Sequence, residues 1–176
     1  MYKILFIGIG KMGFPMAGFL SEKYEVSVYN RTKEKISIWK KKYGGNAVEN
    51  LNQLDEKFDF IISCIGNDDD LREITSNDTG CFNIIRKNTI FIDHSTVSPK
   101  IVQDLELKFR EKEAFFLDAP ISGGQLGAEK GQLSIMVGGD KNAFNKSESI
   151  FEVYGKKRKY MGSSGSGQLT KIINQI

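Results

Sequence analysis

Short apolar runs alternate with amphipathic segments along the whole chain. Uninterrupted runs rich in β-branched and aromatic residues are typical of strands that are covered on both faces. Between them, apolar residues recur at three- and four-residue spacing, which predicts helices. The predicted strands are residues 4–7, 25–29, 58–65, 88–93, 114–119, 133–137 and 157–161, and the predicted helices are residues 12–22, 32–43, 99–111 and 141–154. This alternation predicts an α/β fold with a Rossmann-type, doubly wound, mostly parallel sheet.

Three glycines follow the first apolar run at the spacing G-x-G-x-x-G. In that spacing the first glycine permits a tight turn, the second lets a pyrophosphate approach the backbone, and the third lets a helix pack closely. A strand follows at residues 25–29, so the glycines lie in the strand–helix–strand unit that a dinucleotide site requires. The predicted contacts from this turn are Gly8, Ile9, Gly10, Lys11, Met12 and Gly13.

The end of the second strand bears on which dinucleotide binds. An NAD site usually places a carboxylate there, whereas this chain has Asn30, Arg31 and Thr32. A guanidinium can pair with a 2′-phosphate in bidentate fashion, and a hydroxyl can add a hydrogen bond. The sequence therefore favours NADP, with NAD as the other possibility. The alternative is that Thr32 caps the next helix beside a solvated arginine, and for Thr32 the two roles are compatible.

Two further stretches are expected at the same sheet edge. The backbone of Cys64, Ile65 and Gly66 follows a buried strand and is predicted to contact cofactor. The acidic triplet 68–70 opens a helical segment, so we interpret it as a helix cap with charges that favour a helix N-terminus, and we predict no metal site. His94, the only histidine, is either a general base or a polar residue at a strand end.

Composition narrows the functional classes. The chain has 176 residues, enough for one well-buried domain, and its net charge of +3 is too small and dispersed to indicate nucleic acid or a membrane surface. Cys64 and Cys81 lack C-x-x-C spacing, so we expect reduced thiols. No stretch resembles a signal peptide or a membrane span, and the expected location is the cytoplasm.

Four motifs, in order along the chain, resemble the β-hydroxyacid dehydrogenase family, which includes 3-hydroxyisobutyrate dehydrogenases and glyoxylate or succinic semialdehyde reductases. They are GIGKMGFPM at 8–16, DHSTVSP at 93–99, DAPISGGQLGAEKGQLSIMVGG at 118–139 and GSGQLTKIINQ at 165–175. The resemblance implies an NAD(P)-dependent oxidoreductase that transfers hydride between nicotinamide and a short β-hydroxy acid or an aldehyde or keto acid. The NRT at 30–32 resembles the NADP-preferring branch.

The resemblance also implies roles for single residues. Lys171 would be the general acid or base at the substrate oxygen, and Asn174, one helical turn later, would orient substrate or lysine. Ser122, Gly123 and Gly124 would bind the substrate carboxylate, and Thr96 would lie by the nicotinamide ribose. No role falls on His94.

The family's catalytic helix leads into a second, all-helical domain that closes the cleft and builds the dimer. Here we expect a dinucleotide-binding domain at 1–164 and only the first turns of that helix at 165–176, with low activity for this chain alone. The expected partners are a small carboxylate substrate and a second copy or a missing helical half. Two alternatives stay open: a stand-alone nucleotide-binding module or inactive truncated homologue, and a 6-phosphogluconate dehydrogenase-like enzyme, although that family usually has a histidine where this chain has Gln168.

Overall fold

The computed structural model describes residues 1–174, and in that part of the chain all nine strands belong to one sheet. In the order β3-β2-β1-β4-β5-β6-β8-β7, neighbouring strands are hydrogen-bonded, and β9 pairs with β8. The strands are β1 (Lys3–Ile7), β2 (Glu25–Tyr29), β3 (Asn46–Ala47), β4 (Phe60–Ser63), β5 (Ile90–Asp93), β6 (Phe115–Asp118), β7 (Ile121–Ser122), β8 (Leu133–Gly138) and β9 (Gly155–Gly162).

Helices cover both faces of the sheet. They are α1 (Gly13–Ser21), α2 (Lys33–Tyr43), α3 (Asp68–Ile74), α4 (Pro99–Arg110), α5 (Gly124–Glu129), α6 (Lys141–Tyr154) and α7 (Ser166–Asn174). Apolar residues of α1, α2 and α6 belong to one core cluster, and those of α3 and α4 belong to a second. The predicted doubly wound architecture is therefore confirmed.

The position of β1 in the middle of the sheet explains why its sequence is continuously apolar. Ile4 and Phe6 belong to the first core cluster, whereas Leu5 and Ile7 belong to the second. All four side chains are buried, since successive residues of a strand point to opposite faces and each face carries helices.

The direction of the strands determines where a site can lie. β1 is parallel to β2 and β4, β4 is parallel to β5, and β5 is parallel to β6. Their carboxyl ends therefore meet at one edge of the sheet, which is where doubly wound folds bind ligands. The sheet is mixed beyond β6. There β8 is antiparallel to β6 and β7 and parallel to β9.

The sequence prediction differs from the structure mainly at the ends of elements. β4, β5 and β6 are each shorter than the apolar runs that predicted them. The short helix α5 and the two-residue strands β3 and β7 were not predicted, because glycines and short length hide their periodicity. In the predicted terminal segment 165–176, residues 175 and 176 lie outside the described residues. None of the helices within residues 1–174 has the length and apolar character needed to cross a bilayer.

Candidate functional site

A groove of about 290 Å³ lies where β1, β2 and β4 end. Seven residues predicted as cofactor contacts line it: Gly8, Gly10, Asn30, Arg31, Cys64, Ile65 and Gly66. Two carboxylates of α3, those of Asp70 and Glu73, line it as well, and the sequence analysis did not place them there. The structure thus brings together three stretches that are far apart in sequence.

Packing requires glycine at two of the three positions, Gly8 and Gly13, and leaves open space at the third, Gly10. Gly8 has a φ of +92°, and a Cβ built on it would lie 2.3 Å from the carbonyl oxygen of Cys64. A Cβ on Gly13 would lie 2.0 Å from the carbonyl oxygen of Gly8, so this glycine lets α1 pack on the turn. A Cβ on Gly10 would meet no atom of residues 1–174 within 4 Å. The space beside Gly10 is open, as close approach of a ligand to the backbone requires.

The rest of this turn fits a pyrophosphate. The side chain of Asn30 accepts a hydrogen bond of 3.1 Å from the backbone N–H of Ile9, which joins the end of β2 to the glycine turn. The first turn of α1 holds no acidic residue, and the side chain of Met12 does not cap it. The positive end of the helix dipole is therefore uncovered, with the exposed Lys11 beside it. The residues present fit a dinucleotide.

Arg31 and Asp70 face each other across the groove. The Nη1 atom of Arg31 lies 3.2 Å from Oδ1 of Asp70, and the two side chains are 78% and 24% exposed. Thr32 is exposed and makes no capping hydrogen bond with its side chain, although it is the residue before α2. Thr32 therefore occupies the N-cap position of α2 with extended backbone angles, as the alternative predicts, but its side chain makes no capping hydrogen bond.

The acidic triplet does not cap α3, so that part of the prediction is wrong. Asn67 is the cap, because it keeps extended backbone angles and its side chain accepts from the backbone N–H of Asp70. All three aspartates do lie in the first turn, where their charges favour the helix dipole. Asp68 has a further contact, since it accepts hydrogen bonds from the backbone and hydroxyl of Ser98 at the start of α4.

Asp93 is buried at the end of β5. Its Oδ1 atom accepts hydrogen bonds from the hydroxyls of Ser63 and Ser95. Its Oδ2 atom has no partner among the described residues. Burial raises the pKa of Asp93 to about 6, more than these hydrogen bonds lower it.

His94 is a structural residue. Its Nδ1 atom lies 2.6 Å from the carbonyl oxygen of Ala119, and its Nε2 atom lies 2.8 Å from the hydroxyl of Tyr154. A carbonyl oxygen can only accept, so Nδ1 carries the proton and Nε2 accepts from Tyr154. Burial lowers the pKa of His94 to about 4. Both ring nitrogens are used internally, which removes the general-base alternative.

Two residues that the sequence analysis missed hold α7 in place. The carboxylate of Asp118 accepts hydrogen bonds of 2.9 Å from the backbone N–H groups of Gly165 and Gln168. The buried side chain of Gln168 donates to the carbonyl of Ser95 at 2.8 Å and accepts from the N–H of Val97 at 3.2 Å. Asp118 opens the third motif, so a charged residue at the end of a buried strand was the signal that could have found it.

Gln168 also holds the backbone on both sides of Thr96. Thr96 is exposed, whereas its neighbours Ser95 and Val97 are buried and both are bonded to Gln168. One side chain of α7 therefore fixes the backbone on both sides of Thr96. Thr96 itself does not line the groove, and the same is true of five other predicted cofactor contacts: Ile9, Lys11, Met12, Gly13 and Thr32.

Two of the predicted substrate and catalytic residues, Ser122 and Asn174, contact β8. The exposed Ser122 is in register with Ser134 of β8, and the amide of Asn174 donates to the sulfur of Met136 on the same strand at 3.3 Å. Gly123 and Gly124 have φ angles of +130° and +61°, a region that favours glycine. Lys171 is half-buried and is not among the residues that line the groove. Their roles in catalysis stay predictions.

Comparison with known proteins agrees with this geometry. Residues 3–162 match the family described as the NAD binding domain of 6-phosphogluconate dehydrogenase. The chain is 40% identical to an oxidoreductase of Shewanella frigidimarina, over all of this chain and 61% of the relative. It is 34% identical to the 2-hydroxy-3-oxopropionate reductase of Escherichia coli, over 99% of this chain and 59% of the relative.

A solved structure shows the same fold. The 3-hydroxyisobutyrate dehydrogenase of Mycobacterium tuberculosis, solved with L-serine, superposes with a TM-score of 0.90 at 27% identity. The alignment covers 99% of this chain and 59% of that one. The chain thus spans about three fifths of the length of the proteins that it matches.

Proposed function

The chain belongs to the family of the NAD binding domain of 6-phosphogluconate dehydrogenase, and on that premise we propose that it binds NADP in the groove as part of an oxidoreductase. The observation that carries the proposal is the open backbone at Gly10, between two glycines that close packing requires. The backbone of this turn and the uncovered N-terminus of α1 would hold the pyrophosphate. Asn30 would keep the turn in shape, since it bonds to the N–H of Ile9.

The preference for NADP over NAD rests on the end of β2. The residues that follow Tyr29 are Asn30 and Arg31, so β2 presents no carboxylate to a ribose 2′-hydroxyl. Arg31 is exposed and lines the groove, which suits a guanidinium that pairs with a 2′-phosphate.

The proposed substrate is a short carboxylic acid with a hydroxyl or carbonyl oxygen at its third carbon. The names of the E. coli reductase and the M. tuberculosis dehydrogenase both denote such acids. Ser122 and the backbone of Gly123 and Gly124 would bind the carboxylate, because they are exposed and the positive φ angles turn the backbone sharply.

The chemistry combines a hydride and a proton. The bound nicotinamide supplies or accepts the hydride at the substrate carbon. Lys171 would donate the proton to the substrate oxygen during reduction and remove it during oxidation. Asn174 would orient the substrate oxygen or the lysine from the same side of α7. Asp118 and Gln168 hold the start of α7, so they would position Lys171 without touching substrate.

The apolar face of α7 supports the further expectation that another element covers it. Leu169, Ile172 and Ile173 are large apolar side chains that are exposed. The relatives are longer than this chain, so we propose a helical segment or a second copy as the covering element. A nucleotide-binding module without catalysis is the second candidate, favoured by this exposure beside Lys171.

An assay separates the two candidates. NADPH oxidation is followed with 2-hydroxy-3-oxopropionate, and NADP reduction with 3-hydroxyisobutyrate, for the wild type, Lys171→Ala and Lys157→Ala. We expect turnover that Lys171→Ala reduces at least about 100-fold, since general acid–base catalysis contributes that much. Lys157 is an exposed residue of β9 and serves as the control. Cofactor binding without turnover in the wild type would support the module instead.

A further inference from the structure

The ion pair between Arg31 and Asp70 lies in the groove that the proposed function assigns to the cofactor. Arg31 follows β2 and Asp70 belongs to α3, and both line the groove. Asp70 is more enclosed than its neighbour in the triplet: its side chain is 24% exposed, against 95% for Asp69. The cap from Asn67 to the N–H of Asp70 fixes the backbone from which this carboxylate projects.

A carboxylate in this place acts on the two cofactors in opposite ways. The guanidinium of Arg31 can pair with a carboxylate or with a phosphate. A 2′-phosphate that pairs with Arg31 must displace Asp70 or tolerate a like charge a few ångströms away. A 2′-hydroxyl is neutral and can donate a hydrogen bond to a carboxylate, as the acid on the second strand of NAD sites receives it.

We propose that Asp70 is a specificity-determining residue that opposes binding of the 2′-phosphate and so limits the preference for NADP that Arg31 confers. The inference rests on the proposed function. Discrimination between the two cofactors then depends on a residue of α3 as well as on the residues that follow β2. Glu73, one turn later on α3, lines the same groove and adds negative charge at the same end.

Removing the charge of Asp70 should therefore change the ratio of the two affinities. In Asp70→Asn, Arg31 is free to pair with the phosphate and the repulsion is gone. We expect NADPH to bind about three- to tenfold more tightly, a range set by partial exposure of the pair. NADH should bind equally well or more weakly, because the carboxylate acceptor is lost.

The experiment is a titration of NADPH and of NADH into the wild type, Asp70→Asn and Asp69→Asn. Asp69→Asn is the matched control, because it removes the same charge from the same helical turn but lies outside the groove and pairs with Arg72. Asp69→Asn should leave the ratio of dissociation constants unchanged. If Asp70→Asn is unstable, Asp70→Ser replaces it as the test variant. The double variant Arg31→Gln with Asp70→Asn should lose the gain for NADPH.

The outcomes are distinct for the two proposals. If the wild type binds a dinucleotide and the ratio is the same in the Asp70 and Asp69 variants, the inference about Asp70 is overturned and the proposed cofactor site stands. If the wild type binds neither dinucleotide, the proposed function fails, and the inference fails with it.

Discussion

The carboxylate of Asp118, at the end of β6, accepts a hydrogen bond of 2.9 Å from the backbone N–H of Gln168 in the first turn of α7. Its other oxygen accepts from Gly165, just before the helix. The carboxylate therefore satisfies N–H groups at the start of α7 and lies at the positive end of its dipole. Through this contact the sheet edge determines where α7, and with it Lys171, begins.

We expect Asp118→Asn to loosen α7. An amide keeps one acceptor but places its NH₂ group against the second backbone donor, at a cost of about 1–3 kcal/mol. Hydrogen exchange of the amides of residues 166–174 measures the effect: it should be faster than in the wild type, whereas exchange of the β1 amides should be unchanged. Asp140→Asn is the control, since the side chain of Asp140 accepts a backbone N–H in the first turn of a different helix, that of Ala143 in α6. Equal protection of α7 in both variants would contradict the proposed anchoring.

Gln168→Met should destabilise the protein and free the loop that carries Thr96. Methionine fills the volume but leaves the carbonyl of Ser95 and the N–H of Val97 buried without partners, which costs about 1–3 kcal/mol. Chemical denaturation measures the change in the free energy of unfolding. The exposed Gln125→Met on α5 is the control and should cost less than about 0.5 kcal/mol. Similar losses in the two variants would contradict the assignment.

His94 should stay neutral far below its usual range. Burial lowers its pKa from 6.5 to about 4, so the unfolded chain binds a proton between these values while the folded chain does not. The contribution of His94 to stability is therefore present above pH 6.5 and is lost as pH falls towards 4. Burial raises the pKa of Asp93 and of Asp118 from 3.8 to about 6, so between these values the folded chain binds protons that the unfolded chain does not. The contributions of these two carboxyl groups to stability are therefore present below about pH 4 and are lost as pH rises to about 6.

An NMR titration of the single histidine measures the pKa of His94 directly. We expect one imidazole Cε1–H resonance that does not move between pH 8 and about pH 5. A midpoint near 6.5 would show that the ring reaches solvent, and it would contradict the bonds to Ala119 and Tyr154.

Gly13→Ala should destabilise the fold, because the added methyl group cannot be packed between α1 and the glycine turn. Its Cβ would lie 2.0 Å from the carbonyl oxygen of Gly8, so backbone must move to admit it. We expect a loss of about 3 kcal/mol or more in the free energy of unfolding, at the upper end for a single substitution. Thermal or chemical denaturation measures it. A variant as stable as the wild type would show that α1 does not depend on this contact.

The sequence was sufficient to predict the parts of the molecule that depend on local pattern. Strands such as β1 and the turn at Gly8, Gly10 and Gly13 follow from an apolar run and a glycine spacing, and the structure places them as predicted. The helix predicted from residue 99 likewise begins at Pro99 in the structure.

The missed features depend on contacts between distant parts of the chain. Arg31 and Asp70 are 39 residues apart, and Gln168 meets Ser95 across 73 residues, so no local pattern shows either pair. The prediction that the acidic triplet caps α3 was wrong because the cap depends on backbone angles. Asn67, just before the triplet, has the extended backbone that a cap needs. These contacts could be found only from the folded chain, because α3 and α7 bring Asp70 and Gln168 to residues that follow β2 and β5.

The most direct test of the cofactor site is calorimetric titration of NADPH into the wild type and into Gly10→Ala. We expect the wild type to bind one NADPH and Gly10→Ala to bind at least about tenfold more weakly, because a methyl group would occupy the space into which the pyrophosphate approaches. The thermal midpoint should be unchanged, since a Cβ at Gly10 meets no atom of residues 1–174 within 4 Å. Absence of binding by the wild type, or equal binding by the two proteins, would contradict a cofactor site at this turn.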